Sequence, residues 1–307
     1  MLALERLVWR QGGPELSLTL GPQERIYLGP DPELAQALLL AIAGFGRVLS
    51  GRVLLDGRDI TTAPVAERHI AYIPAGDSLL PDRSLGANLR LVRPGLDGGA
   101  VLGEQARLSP RAVTPAQQRR AILARALAAN PTLLLVHEPP APAAEEAAAI
   151  PAALEERSLP ALVATEDATL ALSRASRILL LRPLPHLATP RDLYARPPDA
   201  AAARWLGPVS FLPPVFAGRP LPHAARSLPG PFRLALRPHA LRLATAGLPA
   251  RVRGQDFLGH ATRLHLALGE AGEGAACLAD VAPGSEPELG CLVHLDWPAE
   301  AAWPILA

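Results

Sequence analysis

The sequence contains no lysine: all 30 of its basic residues are arginine, set against 29 acids for a net charge of +1. Chemistry that depends on a lysine amine is closed to this chain. Aromatic residues make up only 4%, too few for the stacking platforms that hold single strands, and the charge balance gives no bulk attraction to nucleic acid or an anionic membrane. Cysteine occurs twice, as Cys277 and Cys291, with no CxxC or His-rich spacing. Two reduced, partly buried thiols are therefore expected rather than a disulfide or a metal site. No apolar run reaches the roughly 18 to 20 residues that span a bilayer, and the first residues lack the basic start and long apolar stretch of a signal peptide. These absences predict a cytoplasmic globular chain with no resident metal and no nucleic-acid partner.

What is present is apolar: 49% of 307 residues are hydrophobic, enough for one large domain and a smaller one. Short apolar runs at Arg25–Leu28, His69–Pro74, Leu133–Val136, Ala161–Thr165 and Ile178–Leu181 read as buried parallel strands. Helical stretches are expected at Glu33–Ala43, Pro115–Ala129, Ala143–Glu156, Asp167–Ser176 and Arg191–Trp205. After Gly207 the composition turns proline-rich, and past Phe232 it alternates as short strands do. The fold class predicted is therefore an α/β domain with a parallel sheet over residues 1–206, then a proline-rich linker and a small all-β domain over residues 207–307.

The first strand leads through Gly29-Pro30-Asp31-Pro32-Glu33 into a Leu- and Ala-rich helix. A strand, a glycine turn and a helix in that order make a phosphate cradle, because the free N–H groups of a helix start attract anions. Here the turn is filled from within. Asp31 reads as an N-cap, Pro32 as the first helical residue, and Glu33 as an acid set against the positive end of the dipole. Val113-Thr114-Pro115-Ala116-Gln117 repeats the pattern, with Thr114 as cap and Gln117 placed three residues on to complete a capping box.

Several stretches together resemble the ATP-binding subunit of ABC transporters, in the importer type for iron, polyamines or sugars. They are Gly51 to Ile60, Arg68 to Pro74, Ser84 to Leu89, Gln117 to Leu127, Leu133 to Pro139, and in the tail Asp192-Leu193-Tyr194, Arg237-Pro238 and Phe257-Leu258-Gly259. The resemblance implies a P-loop-NTPase-like ABC ATPase domain followed by an OB-like (TOBE) domain. It also implies ATP and Mg²⁺ as the family's ligands, a membrane permease subunit or a sibling ATPase subunit as partner, a homodimer, and a place on the inner face of the plasma membrane.

The family's chemical positions differ in this sequence. Of the phosphate loop G-x-x-x-x-G-K-S/T only Gly29 matches; Leu34 stands for the second glycine, Ala35 for the lysine and Gln36 for the metal-binding hydroxyl. Thr114, Pro115, Ala116 and Gln117 stand where the signature would be, Ala75 where the Q-loop glutamine would be, and Glu166 where the switch histidine would be. His137 replaces the Mg²⁺-linked Asp, the D-loop Asp falls near Ala144, and Glu138 survives as the acid that would polarise water. Positioning and charge neutralisation supply nearly all of phosphoryl-transfer catalysis, so Glu138 is expected to be idle and no bound cofactor is expected. Two other readings are a weak half of an asymmetric ATPase pair and a stand-alone interaction or small-ligand module that uses the OB domain. Trp9 is either a stacking aromatic or a core one, and Arg119, Arg120 and Arg125 read as a solvated face or domain contact.

Overall fold

The computed structural model describes residues 1–76, 78–138, 158–214 and 230–306. The chain forms two compact units, Met1–Pro190 and Arg191–Ala307. The expected helix at Ala143–Glu156 and the position Ala144 lie outside the described residues.

The first unit opens with β1 (Leu2–Val8) and β2 (Leu16–Leu20), an antiparallel pair in which alternate residues are buried. β3 (Arg25–Gly29) follows and runs into helix α1 (Pro32–Ala43). β4 (Ser50–Leu55) and β5 (Arg58–Asp59) complete a four-stranded antiparallel sheet in the order β2-β1-β4-β5. β6 (Ile70–Ile73), helices α2 (Leu85–Arg90), α3 (Gly98–Leu102) and α4 (Pro115–Ala128), and β7 (Leu133–His137) come next. After the undescribed stretch stand β8 (Ala161–Ala164), α5 (Ala168–Arg174), β9 (Arg177–Leu180) and β10 (His186–Ala188).

The six-stranded sheet has the order β10-β9-β3-β8-β7-β6; its neighbours are parallel except for β10, which runs back against β9. All four residues of β8 and the first four of β7 are buried, as expected for strands covered on both faces. Helix α1 packs Leu34, Ala35, Leu38, Leu39 and Ile42 into one core with Leu28, Leu135 and Leu162. It stops at Gly44, whose φ of 90° is open to glycine and whose N–H bonds the carbonyls of Leu40 and Ala41. A Cβ at Gly44 would lie 2.6 Å from Arg68 Nε, and that guanidinium donates to the last carbonyls of α1, Ala41 O at 3.3 Å and Ile42 O at 2.8 Å.

The second unit begins with α6, Pro190–Ala195 (its first residue still in the first unit), and α7 (Ala200–Trp205). The single helical segment expected over Arg191–Trp205 is thus broken in two. Pro197 and Pro198 interrupt it, because neither can donate to the helix ladder. β11 (Ser210–Leu212), β12 (Phe232–Leu236) and the late strand β18 (Trp303–Leu306) form a three-stranded sheet. β13 (Arg242–Ala244), β14 (Leu248–Phe257), β15 (Thr262–Leu268), β16 (Ala276–Val281) and β17 (Leu292–Asp296) form a five-stranded antiparallel one. The two sheets enclose a core that includes Leu236, Val252, Leu266 and Trp297.

The division at Pro190 comes ahead of the composition change at residue 207. Arg237 is the reason: its guanidinium donates to the carbonyls of Tyr194, Ala203, Gly207 and Pro208, and so ties both short helices to β12. Cys277 is buried in this unit while Cys291 is exposed, so only one of the thiols expected to be partly buried is covered.

Candidate functional site

Parallel strands put their C-terminal ends, and the residues that follow, along one edge of the sheet, where ligands of open α/β folds bind. The register here aligns Leu28 with Ala164 and Ala164 with His137. The backbone continues that line, with Thr165 N–H bonding Leu28 O at 3.0 Å and Glu138 N–H bonding Ala164 O at 2.9 Å. Gly29 and Asp31, His137 and Glu138, Thr165 and Glu166, and Pro74 and Ala75 therefore all emerge at one end of the sheet. The sequence had named most of them one at a time.

At the end of β3 the turn closes on itself. Asp31 Oδ1 accepts the N–H of Leu34 at 2.9 Å, Pro32 is the first helical residue, and Glu33 lies exposed in the first turn. Asp31 Oδ2 takes a second partner, the Nε of Arg182 at 2.9 Å. Leu34 and Ala35 are 2% and 1% exposed and belong to the core. Gln36 is half-buried beside Tyr72, whose phenol burial pushes up in pKa against a smaller opposing effect of Gln36. Trp9 settles as a core residue that is 7% exposed, with its indole N–H directed to Leu34 O at 3.4 Å.

At the end of β7, Glu138 meets Arg119. Arg119 NH2 lies 3.3 Å from Glu138 Oε2, and the two side chains are 5% and 2% exposed. The same guanidinium donates to Pro74 O at 2.7 Å and His137 O at 3.3 Å, joining α4 to the ends of β6 and β7. The neighbouring His137 imidazole is pushed below its ordinary pKa by burial and by the charge of Arg119, with the exposed Glu166 acting the other way. Arg125 donates to Ser78 O and Ser78 Oγ at 2.7 and 2.8 Å. The solvated face or domain contact expected of the α4 arginines is corrected: Arg119 and Arg125 turn inward onto Pro74, His137, Glu138 and Ser78 of their own unit, and of the three only Arg120 is exposed.

The start of α4 carries the expected capping box. Gln117 N–H bonds Thr114 Oγ1 at 3.3 Å while Thr114 N–H bonds Gln117 Oε1 at 2.9 Å, with Pro115 as the first helical residue and Ala116 after it. Sequence reasoning missed Arg182 and the role of Arg119. Only the sheet order, which sets β9 against β3, brings Arg182 to Asp31.

Comparison with known proteins gives this geometry a family. The family model described as ABC transporter matches residues 36–141, and that described as TOBE domain matches residues 234–305. A Fe(3+) ions import ATP-binding protein, FbpC, of Pseudomonas fluorescens is 31% identical over 294 residues, covering 84% of this chain and 82% of the relative. The protein of the same name from Streptomyces coelicolor is 29% identical over an alignment of 345 residues, covering 97% of this chain and 95% of the relative. Among solved structures, the ATP-binding cassette MJ0796, a dimer in a post-hydrolysis state bound to ADP and Pi, matches at a TM-score of 0.50 and 20% identity. That match covers 59% of this chain and 94% of the other and speaks to the fold. At 31% identity over most of both sequences, the chain belongs to the ATP-binding subunits of ABC importers that carry a C-terminal TOBE domain.

Proposed function

We propose that this chain serves a ferric-iron importer as an ATP-binding-subunit-like component that turns over little or no ATP and acts as a structural or regulatory subunit. The substrate follows the names of its relatives, each a Fe(3+) ions import ATP-binding protein. Its partners are then a membrane permease subunit and a sibling ATPase subunit or a second copy, which places it on the inner face of the membrane.

The observation that carries the loss of turnover is the Asp31 carboxylate seated on the N-terminus of α1. A phosphate needs those N–H groups free and the dipole unopposed. Asp31 and Glu33 would face it instead, and unit charges about 4 Å apart repel by roughly 1 to 4 kcal/mol depending on screening; Arg182 offsets part of that at Asp31. Magnesium fares no better, since Gln36 and His137 stand where hydroxyl and carboxylate ligands belong and Glu138 already faces Arg119. The residues present do not fit MgATP in the family manner, so no hydrolytic step is derived for them. Both self-capped helices hold their packing without nucleotide. Titration calorimetry of the purified chain with MgATP tests the reading: no saturable binding is expected at millimolar nucleotide, and micromolar affinity would overturn it.

A further inference from the structure

We propose that Arg119 is a resident counter-ion. It gives Glu138 the positive charge that a metal-bound nucleotide would otherwise bring to this end of the sheet, and the resulting pair locks α4 to β6 and β7. The inference rests on the reading of a site that works without MgATP and adds what took the ligand's place.

Three observations carry it. First, the pair is buried on both sides, at 5% and 2% exposure, and a carboxylate removed from water stays ionised only beside a compensating charge. Second, the guanidinium is aimed by more than Glu138. It also donates to Pro74 O and His137 O, so a single cation joins the last residues of two adjacent parallel strands, as a ligand bound across a strand-end crevice would. Third, the opposite end of the charge pattern is supplied in the same way. Asp31 provides an internal anion at the start of α1, and Arg182 balances it. Where a triphosphate and its metal would bring negative charge to the helix and positive charge to the acid, the chain supplies both from its own side chains. Arg119 holds this position because the capping box fixes the start of α4, and with it the direction of the first turns that follow.

A nucleotide-free double-mutant cycle tests the pair. Arg119→Met and Glu138→Met are each expected to lower Tm by about 10 °C, because each takes one partner from a buried ion pair. The double variant Arg119→Met/Glu138→Met, which removes both charges of the pair, is expected within a few degrees of wild type, and it reports even if a single variant fails to fold. Losses that merely add in the double variant would overturn the proposal. The MgATP titration of wild type judges the functional reading separately; a coupled cycle in a chain that nonetheless binds MgATP would defeat that reading and uphold the counter-ion.

Discussion

Asp31 and Leu34 are bound to each other across the first turn of α1, carboxylate to backbone N–H at 2.9 Å, at the point where a phosphate loop would open. The bond predicts how the turn responds to substitution. Asp31→Ala removes both the cap and the partner of Arg182, and should lower stability by about 1 kcal/mol. Asp31→Asn keeps a cap of similar strength and should stay within a few tenths of a kcal/mol of wild type. Urea denaturation of the two variants checks this; equal losses would mean that the charge on Arg182, rather than the cap, holds the turn.

Partial repair of the loop should fail. Ala35→Lys with Gln36→Ser restores two family residues, yet Ala35 is 1% exposed in the core, so the new ammonium would start from a buried position and be driven toward its neutral form. Leu34 still resists the positive φ that glycine permits, and Pro32 still lacks an N–H. Replacing the whole segment Asp31 to Gln36 with a glycine-rich, lysine-containing loop should instead recover nucleotide binding without hydrolysis, because Ala75, Thr114 to Ala116, His137 and Glu166 remain as they are. Calorimetry on both variants decides between a disabled site and a rebuilt one: tight MgATP binding by the two-residue variant would mean that the loop geometry was intact all along.

The parts of this site legible in the sequence are those whose cause lies within a few residues. The Asp31 cap, Pro32 at the helix start and the Thr114–Gln117 box are written locally, and the structure forms each of them. The strands at the sheet centre were legible for a similar reason, as short apolar runs between turns. The Asp31–Arg182 pair was not, because β3 inserts between β8 and β9 and no local pattern states that order; nor was Arg119–Glu138, which depends on which way α4 turns onto the end of β7. Arg119 also looked like one of several arginines on a polar helix face. Burial, not spacing, distinguishes it from Arg120.

The two thiols should behave oppositely toward a thiol reagent. Burial pushes the Cys277 thiol up to about 12, so at pH 8 it carries almost no reactive thiolate, while Cys291 is exposed on the surface. The native protein is expected to be labelled once, at Cys291, and the urea-unfolded protein twice, as read by intact mass. Rapid double labelling of the native chain would show that the core around Cys277 opens readily.

Acid stability should carry the mark of Glu24. Its carboxylate takes a forked pair of bonds from Arg177, at 2.5 and 2.9 Å, and a third from the N–H of Gly21 at 2.9 Å. Burial pushes its pKa up, but the Arg177 and Gly21 bonds outweigh that and hold it below the usual value. A carboxyl whose folded pKa is depressed contributes stability above its unfolded pKa, near about 4.3, and loses it as pH falls through the folded value. Glu24→Gln should therefore cost about 1 kcal/mol at pH 7, a modest figure because the pair is partly exposed, at 20% and 30%. As pH falls through that depressed folded value the wild-type carboxyl itself becomes neutral, and the gap between the two proteins should narrow. Arg177 ties the start of β9 to the turn ahead of β3 and also donates to Thr19 O at 2.7 Å, so the loss should appear as earlier opening of the first residues of β9 and β3 in hydrogen exchange. Denaturation curves taken stepwise from pH 7 into acid decide it: a gap of unchanged size throughout would mean that Glu24 acts through packing and not through its charge.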